Sequence, residues 1–137
     1  MITVSTLVAA PLEAVWRAYT TPADICVWNT ASPDWHTPRA EVDLRPGGAF
    51  SSRMEAKDGS MGFDFAGEYT AVEPMQRIAY TFGGRQGEVT FTPGPQGVAV
   101  QVRFDPETVY PEEAQRQGWQ AILDSFARHV TAGTAAT

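Results

Sequence analysis

The stretch YPEEAQRQGWQAILDSFARHVTA, residues 110–132, decides the fold because it is the only segment long and periodic enough to cover a whole domain. Pro111 suits a first helical position, and Gly133 follows the last turn. The sequence therefore predicts one amphipathic helix that ends before Gly133. Its apolar face carries Trp119, Ile122, Leu123, Phe126 and Val130.

One residue inside this helix, Gly118, has a low helix propensity. Gly118 lies in the helix interior, where glycine costs about 1 kcal/mol relative to alanine. We therefore expect another part of the molecule to come close to the helix backbone at Gly118. Trp119, its neighbour, is the best-placed large side chain to face the interior of the domain.

Ahead of the helix, from residue 42 to residue 104, the apolar period changes to two. Six runs alternate apolar and polar residues, which is typical of strands with one buried face. Short turn sequences such as Arg45-Pro46-Gly47-Gly48 join the runs, so neighbouring strands must be antiparallel. In that turn, Pro46 presets φ and Gly47 takes a positive φ, which favours a hairpin over a phosphate-binding loop.

The first 38 residues contain shorter elements. Residues 2–8 alternate like a strand, and residues 11–19 place apolar side chains at i, i+3, i+4 and i+7, as in a short helix. A second short helix is predicted at 23–28, after Thr20-Thr21-Pro22. Residues 29–38, NTASPDWHTP, are rich in turn formers and predict a loop.

These elements predict an α+β fold in the order β-α-α-β-β-β-β-β-β-α. A seven-stranded curved antiparallel sheet needs a cover for its apolar face, and the carboxy-terminal helix is the only element long enough to supply one. The 137 residues suit a single domain, with residues 133–137 as a frayed tail.

Composition and charge exclude several classes of partner. Sixteen acidic and ten basic side chains give a net charge of −6, which argues against a nucleic-acid or anionic-membrane surface. No signal peptide and no apolar stretch of about 20 residues stand in the sequence, so we expect a cytoplasmic protein without membrane insertion. Cys26, the only cysteine, can form no internal disulfide.

Motifs for catalysis or metal binding are missing from the sequence. His36 and His129 are the only histidines, and neither has a ligand at metal-like spacing. Cys26 lies in an apolar run without a histidine beside it, which favours a small buried hydrophobe over a nucleophile. The sequence contains no G-x-S-x-G motif. We therefore predict no catalytic residue, no metal and no cofactor.

Three stretches together resemble a known family: residues 41–50, 67–82 and 117–126. They are similar to the START-like superfamily, also called SRPBCC, birch-pollen-allergen-like or polyketide cyclase-like. Within it they resemble the branch of homologues of the activator of the heat-shock protein 90 ATPase. The resemblance implies a helix-grip fold whose sheet and long helix enclose a cavity. The chain departs from this branch where Trp28 is followed by Asn29 rather than by a second aromatic residue.

The aromatic residues of the predicted inner face could fill the core or line such a cavity. Ser52, Met54, Gly67 and Gly118 are the small or flexible positions that would leave room. We predict an apolar pocket between sheet and helix, with Tyr69 and Tyr80 as its polar contacts. The predicted ligand-binding residues are Trp28, Trp35, Phe50, Met54, Phe65, Tyr69, Tyr80, Phe91, Trp119, Ile122, Leu123 and Phe126.

Three functions remain open at this point. The first is binding of a small hydrophobic or amphipathic molecule in the cavity. The second is an enzyme of the cyclase, dehydratase or hydrolase type, in which Tyr69, Tyr80 or His36 transfers protons. The third is a protein-interaction module, either a chaperone cofactor or a homodimer that pairs edge to edge.

Overall fold

A seven-stranded antiparallel sheet and three helices make up residues 1–135, the part of the chain that this computed structural model describes. The predicted element order is confirmed. The strands are β1 (Ile2–Val8), β2 (Trp35–Val42), β3 (Ala49–Ala56), β4 (Gly62–Glu73), β5 (Arg77–Phe82), β6 (Arg85–Gly94) and β7 (Gly97–Phe104). The helices are α1 (Leu12–Thr20), α2 (Pro22–Trp28) and α3 (Glu112–Ala135).

Strands β2 to β7 follow one another as a meander, and β1 pairs with β7, which gives the order β1-β7-β6-β5-β4-β3-β2. Ile2 lies opposite Phe104 in the β1–β7 pair. Helix α3 packs over this side of the sheet, where the Gln120 side-chain amide donates a hydrogen bond of 2.9 Å to the Ser5 carbonyl. The predicted α+β helix-grip architecture is therefore confirmed.

Aromatic side chains pack together where α1 and α2 meet α3. Five aromatic residues form an aromatic cluster there, with ring centroids between 5.0 and 5.5 Å apart. Its members are Trp16, Tyr19, Trp28, Phe91 and Phe126. The indole N–H of Trp28 donates a buried hydrogen bond of 2.8 Å to the Ala18 carbonyl, which fixes α2 on α1. This end of the domain is filled by its own side chains.

A polar contact also ties α3 to α2. The Nε2 atom of His129 lies 2.8 Å from a carboxylate oxygen of Asp24, and both side chains are half-buried. Asp24 is 105 positions away in the chain, so spacing along the sequence could not reveal this partner. His129 is thus part of a helix–helix contact.

Strand β2 begins at Trp35, so the prediction of a loop over residues 29–38 was wrong at its carboxyl end. Trp35 pairs with Ala56 of β3, and the Thr37 hydroxyl donates a hydrogen bond of 2.6 Å to the Asn29 carbonyl. Pairing with a distant strand outweighs local turn propensity in this segment.

Helix α3 continues through Gly133 to Ala135, beyond its predicted end. Residues 136–137 of the predicted frayed tail lie outside the described residues. The expected close approach at Gly118 was also wrong, because a Cβ atom built there meets no heavy atom within 4 Å. Trp119 does face the interior, as predicted.

Because Gly118 has open space around it, Gly118→Ala should raise the free energy of unfolding by about 0.5–1 kcal/mol through helix propensity alone. Urea denaturation at constant m-value measures the change. Gly87→Ala is the contrasting variant: its Cβ would lie 2.5 Å from the Tyr80 ring, so it should destabilise the fold. A destabilised Gly118→Ala protein would contradict the open surroundings of this position.

Candidate functional site

A cavity of about 290 Å³ lies between the inner face of β3–β5 and helices α2 and α3. Its volume is near the lower end of the range for small-molecule pockets. Most of its wall is apolar, with a few polar side chains distributed among the apolar ones. The space predicted between the sheet and the carboxy-terminal helix is therefore present.

The structure places nine of the twelve predicted ligand-binding residues on the cavity wall. These are Trp28, Phe50, Met54, Phe65, Tyr69, Tyr80, Trp119, Ile122 and Leu123. Phe91 and Phe126 belong to the aromatic cluster instead. Trp35 packs against Phe63 with ring centroids 6.0 Å apart. A role in ligand binding stays a prediction for all twelve residues.

Two cross-strand pairs explain why bulky rings do not fill this space. Phe50 lies opposite Gly67, and a Cβ atom at Gly67 would be 2.8 Å from the Phe50 ring. Tyr80 lies opposite Gly87 and leans over it in the same way. Each ring occupies the place of the missing side chain and stays close to the sheet. Gly67 itself leaves no free room, contrary to the prediction, because the Thr81 carbonyl oxygen and the Phe50 ring both lie where its side chain would be.

The Trp119 side chain connects α3 to the sheet at the cavity. Its indole stacks on Phe104 of β7, with ring centroids 4.1 Å apart and an interplanar angle of 20°. It also meets Phe65 edge to face at 5.6 Å and Phe82 at 6.0 Å. This one side chain therefore spaces α3 from strands β4, β5 and β7.

The turn before β3 holds Tyr69 in position. The Gly47 N–H donates a hydrogen bond of 2.7 Å to the Tyr69 carbonyl, and the Tyr69 N–H donates one of 2.9 Å to the Gly48 carbonyl. Gly47 has a φ of +84°, which confirms the predicted turn geometry. The sequence Arg45-Pro46-Gly47-Gly48 thus positions Tyr69, a residue of the cavity wall, as well as forming a turn.

Three tyrosines line the cavity. Tyr69 and Tyr80 lie directly opposite each other on β4 and β5, and Tyr19 reaches the wall from α1. Burial raises the pKa of Tyr69 to about 12, with a smaller contribution from Asp43. Burial also raises the pKa values of Tyr80 and Tyr19 well above the usual range. All three phenols are uncharged hydrogen-bonding groups at neutral pH.

Sequence reasoning missed the charged residues of the wall: Arg85, Glu41 and Glu107. The Arg85 guanidinium lies 4.3 Å from the centre of the Phe82 ring and donates a hydrogen bond of 3.3 Å to the Asp105 carbonyl. Its Nη2 atom is 3.9 Å from the Glu107 carboxylate. Arg85 has the inward parity of Val89, so extending β6 backward by four residues would have found it.

Among residues 1–135, no group of three or more His, Cys, Asp or Glu side chains could hold a metal ion. His36 lies 3.8 Å from Glu55 with its side chain 45% exposed, and it does not belong to the cavity wall. Cys26 is a half-buried free thiol on α2. None of the helices in this part of the chain has both the length and the apolar composition that a bilayer span requires.

A curled antiparallel sheet that grips a carboxy-terminal helix over a cavity defines a helix-grip, START-like domain. Within that class the chain belongs to the family of Activator of Hsp90 ATPase homolog 1-like proteins, whose model matches residues 9–131. This finding confirms the resemblance that the sequence motifs indicated.

Solved structures of similar proteins agree with this assignment. An AHSA1-like protein from Aeromonas hydrophila is 45% identical, with a TM-score of 0.91 over 97% of this chain and 93% of that chain. Chr148 from Cytophaga hutchinsonii is 44% identical, with a TM-score of 0.82 over 99% and 95%. Protein CV1439 from Chromobacterium violaceum is 27% identical, with a TM-score of 0.84 over 95% and 96%. A search of curated proteins gave no match.

The raised pKa of Tyr69 predicts a loss of stability at high pH. The folded protein favours the neutral phenol, so this stabilisation is complete below the unfolded value near 10 and declines as pH rises toward about 12. Between pH 9 and pH 11.5, the free energy of unfolding should therefore fall by about 2 kcal/mol more in the wild type than in Tyr69→Phe.

Urea denaturation at a series of pH values measures this difference. Tyr110→Phe is the matched control, because the Tyr110 side chain is exposed and lies outside the cavity wall. Parallel stability curves for the wild type and Tyr69→Phe would refute the effect of burial on this phenol.

Proposed function

We propose that this protein binds one small hydrophobic or amphipathic molecule in the cavity beneath α3, and that it does so in the cytoplasm. The observation that carries the proposal is the mainly apolar cavity of about 290 Å³ between the sheet and α3. Protein interiors normally contain few voids larger than a water molecule. A concave, mainly apolar space of this kind, with a few polar groups on its wall, is the usual form of a small-molecule site.

The composition of the wall sets the kind of molecule and the strength of binding. Aromatic and aliphatic side chains from α2, α3 and β3–β5 supply apolar contact, and the tyrosine hydroxyls supply hydrogen bonds. Burial of about 300 Å² of apolar ligand surface at roughly 25 cal/mol per Å² contributes about 7 kcal/mol before the costs of association. We therefore expect dissociation constants in the micromolar range or weaker.

The two other functions have less support. An enzyme needs a group that exchanges protons near neutral pH, whereas burial keeps Tyr69 and Tyr80 neutral and His36 does not line the cavity. An interaction module needs an exposed apolar patch. The exposed large apolar side chains are instead spread over β1, α2, β4 and the segment before α3.

Fluorescence of N-phenyl-1-naphthylamine, an uncharged apolar probe, tests the proposal. The wild type should bind one probe per chain with a saturable increase in emission. Ser52→Phe places a ring in the cavity, because Ser52 is buried on its wall, and should reduce affinity at least about 10-fold. Ser51→Phe is the matched control, since the neighbouring side chain points to the opposite face of β3.

Circular dichroism and thermal unfolding establish that both serine variants are folded before binding is compared. Equal probe affinity in Ser52→Phe and Ser51→Phe would place the probe outside the cavity. A wild-type protein that shows no saturable binding would overturn the proposed function.

A further inference from the structure

Two buried tyrosines line the cavity, and neither hydroxyl group has a hydrogen-bond partner among the described residues. Tyr69 is 8% exposed and Tyr80 is 6% exposed, and both lie on the cavity wall. Burial and neighbouring charges alone account for their raised pKa values, with no contribution from a hydrogen bond. In residues 1–135, no side-chain oxygen or nitrogen is both sealed from solvent and unpartnered, so each hydroxyl keeps some accessible surface, and the cavity is the space that both residues line.

Apolar side chains pack around the two tyrosine rings, and Tyr19 is the third tyrosine of the wall. The Phe50 ring lies 5.1 Å from the Tyr69 ring and 5.4 Å from the Tyr80 ring, and Ile78 adds an aliphatic contact on the same strand as Tyr80. A buried hydroxyl that finds no acceptor or donor costs free energy. A purely hydrocarbon ligand would leave both hydroxyls in that condition, whereas a ligand oxygen within reach of a hydroxyl would satisfy it.

Charge at the cavity argues against an anionic ligand. The wall carries one guanidinium, Arg85, and two carboxylates, Glu41 and Glu107. Arg85 already donates to the Asp105 carbonyl and lies 3.9 Å from Glu107, so it is partly neutralised. The chain as a whole has a net charge of −6. A carboxylate or sulfonate would therefore meet more negative than positive charge at this site.

We propose that the ligand is an uncharged amphipathic molecule whose buried end carries a carbonyl or hydroxyl oxygen, bound by the hydroxyl groups of Tyr69 and Tyr80. This inference rests on the proposed function and adds the chemical class of the ligand to it. The remainder of the molecule packs against the apolar wall, where Trp119 and Phe65 supply aromatic contact.

Three ligands of nearly equal shape separate the alternatives: 4-acetylbiphenyl carries a neutral carbonyl, 4-isopropenylbiphenyl replaces its oxygen by carbon, and biphenyl-4-carboxylate is charged. Their dissociation constants follow from displacement of N-phenyl-1-naphthylamine. Because a neutral hydrogen bond contributes modestly, the wild type should bind the ketone about 3- to 10-fold more tightly than the alkene. The carboxylate should bind most weakly of the three.

Tyr80→Phe and Tyr69→Phe should each reduce the ketone preference, and the double variant should abolish it, while the affinity for the alkene changes less than about 2-fold. Tyr110→Phe removes a hydroxyl from an exposed tyrosine and should keep the full preference. Thermal unfolding confirms that each variant is folded. In Tyr80→Phe the aromatic ring that packs over Gly87 is retained.

Failure of this inference can be told from failure of the proposed function. If the probe and the alkene bind but the ketone gains nothing, or if its preference survives in the double variant, the tyrosine anchor is wrong and the cavity proposal stands. Tightest binding of the carboxylate would also overturn the anchor and point to Arg85. If the probe itself does not bind the wild type, both proposals fail.

Discussion

The stacking of Trp119 on Phe104 is the contact on which the rest of the structure depends. It holds α3 over β7 and β1, while the sheet curls away toward β3 and β4. The length of the indole, which also reaches Phe65, sets the distance between helix and sheet. A smaller side chain at this position would let the two layers approach, and a cavity between them would shrink.

The aromatic residues divide into two groups with different physical roles. Those contributed by the helices and β6 fill one end of the domain as the aromatic cluster, whose Phe126 is fully buried. On β3 and β5, Phe50 and Tyr80 lie over glycines of neighbouring strands and border the cavity. The residue opposite a ring on the neighbouring strand therefore influences whether that ring fills the core or borders the cavity.

Periodicity predicted the elements because each buries one face, and the residues of the α3 face lie where the spacing placed them. The sequence could not show the pairing of Trp35 with Ala56 or the contact between His129 and Asp24, since both depend on distant segments. Sequence reasoning missed Arg85 because it lies at the start of β6, where residues 85–88 show no alternation of apolar and polar side chains. The volume of the cavity depends on how the helix and the sheet pack together, so no local sequence pattern predicts it.

The central claim is that an apolar molecule enters the space beneath α3. The chain has four isoleucines, of which Ile25, Ile78 and Ile122 line the cavity, while Ile2 lies opposite Phe104 at the sheet edge. Methyl spectra of isoleucine-labelled protein during titration with N-phenyl-1-naphthylamine locate the bound probe. We expect large, saturable shifts for the three lining residues and little change for Ile2; shifts of equal size at all four, or none at the three, would contradict the account.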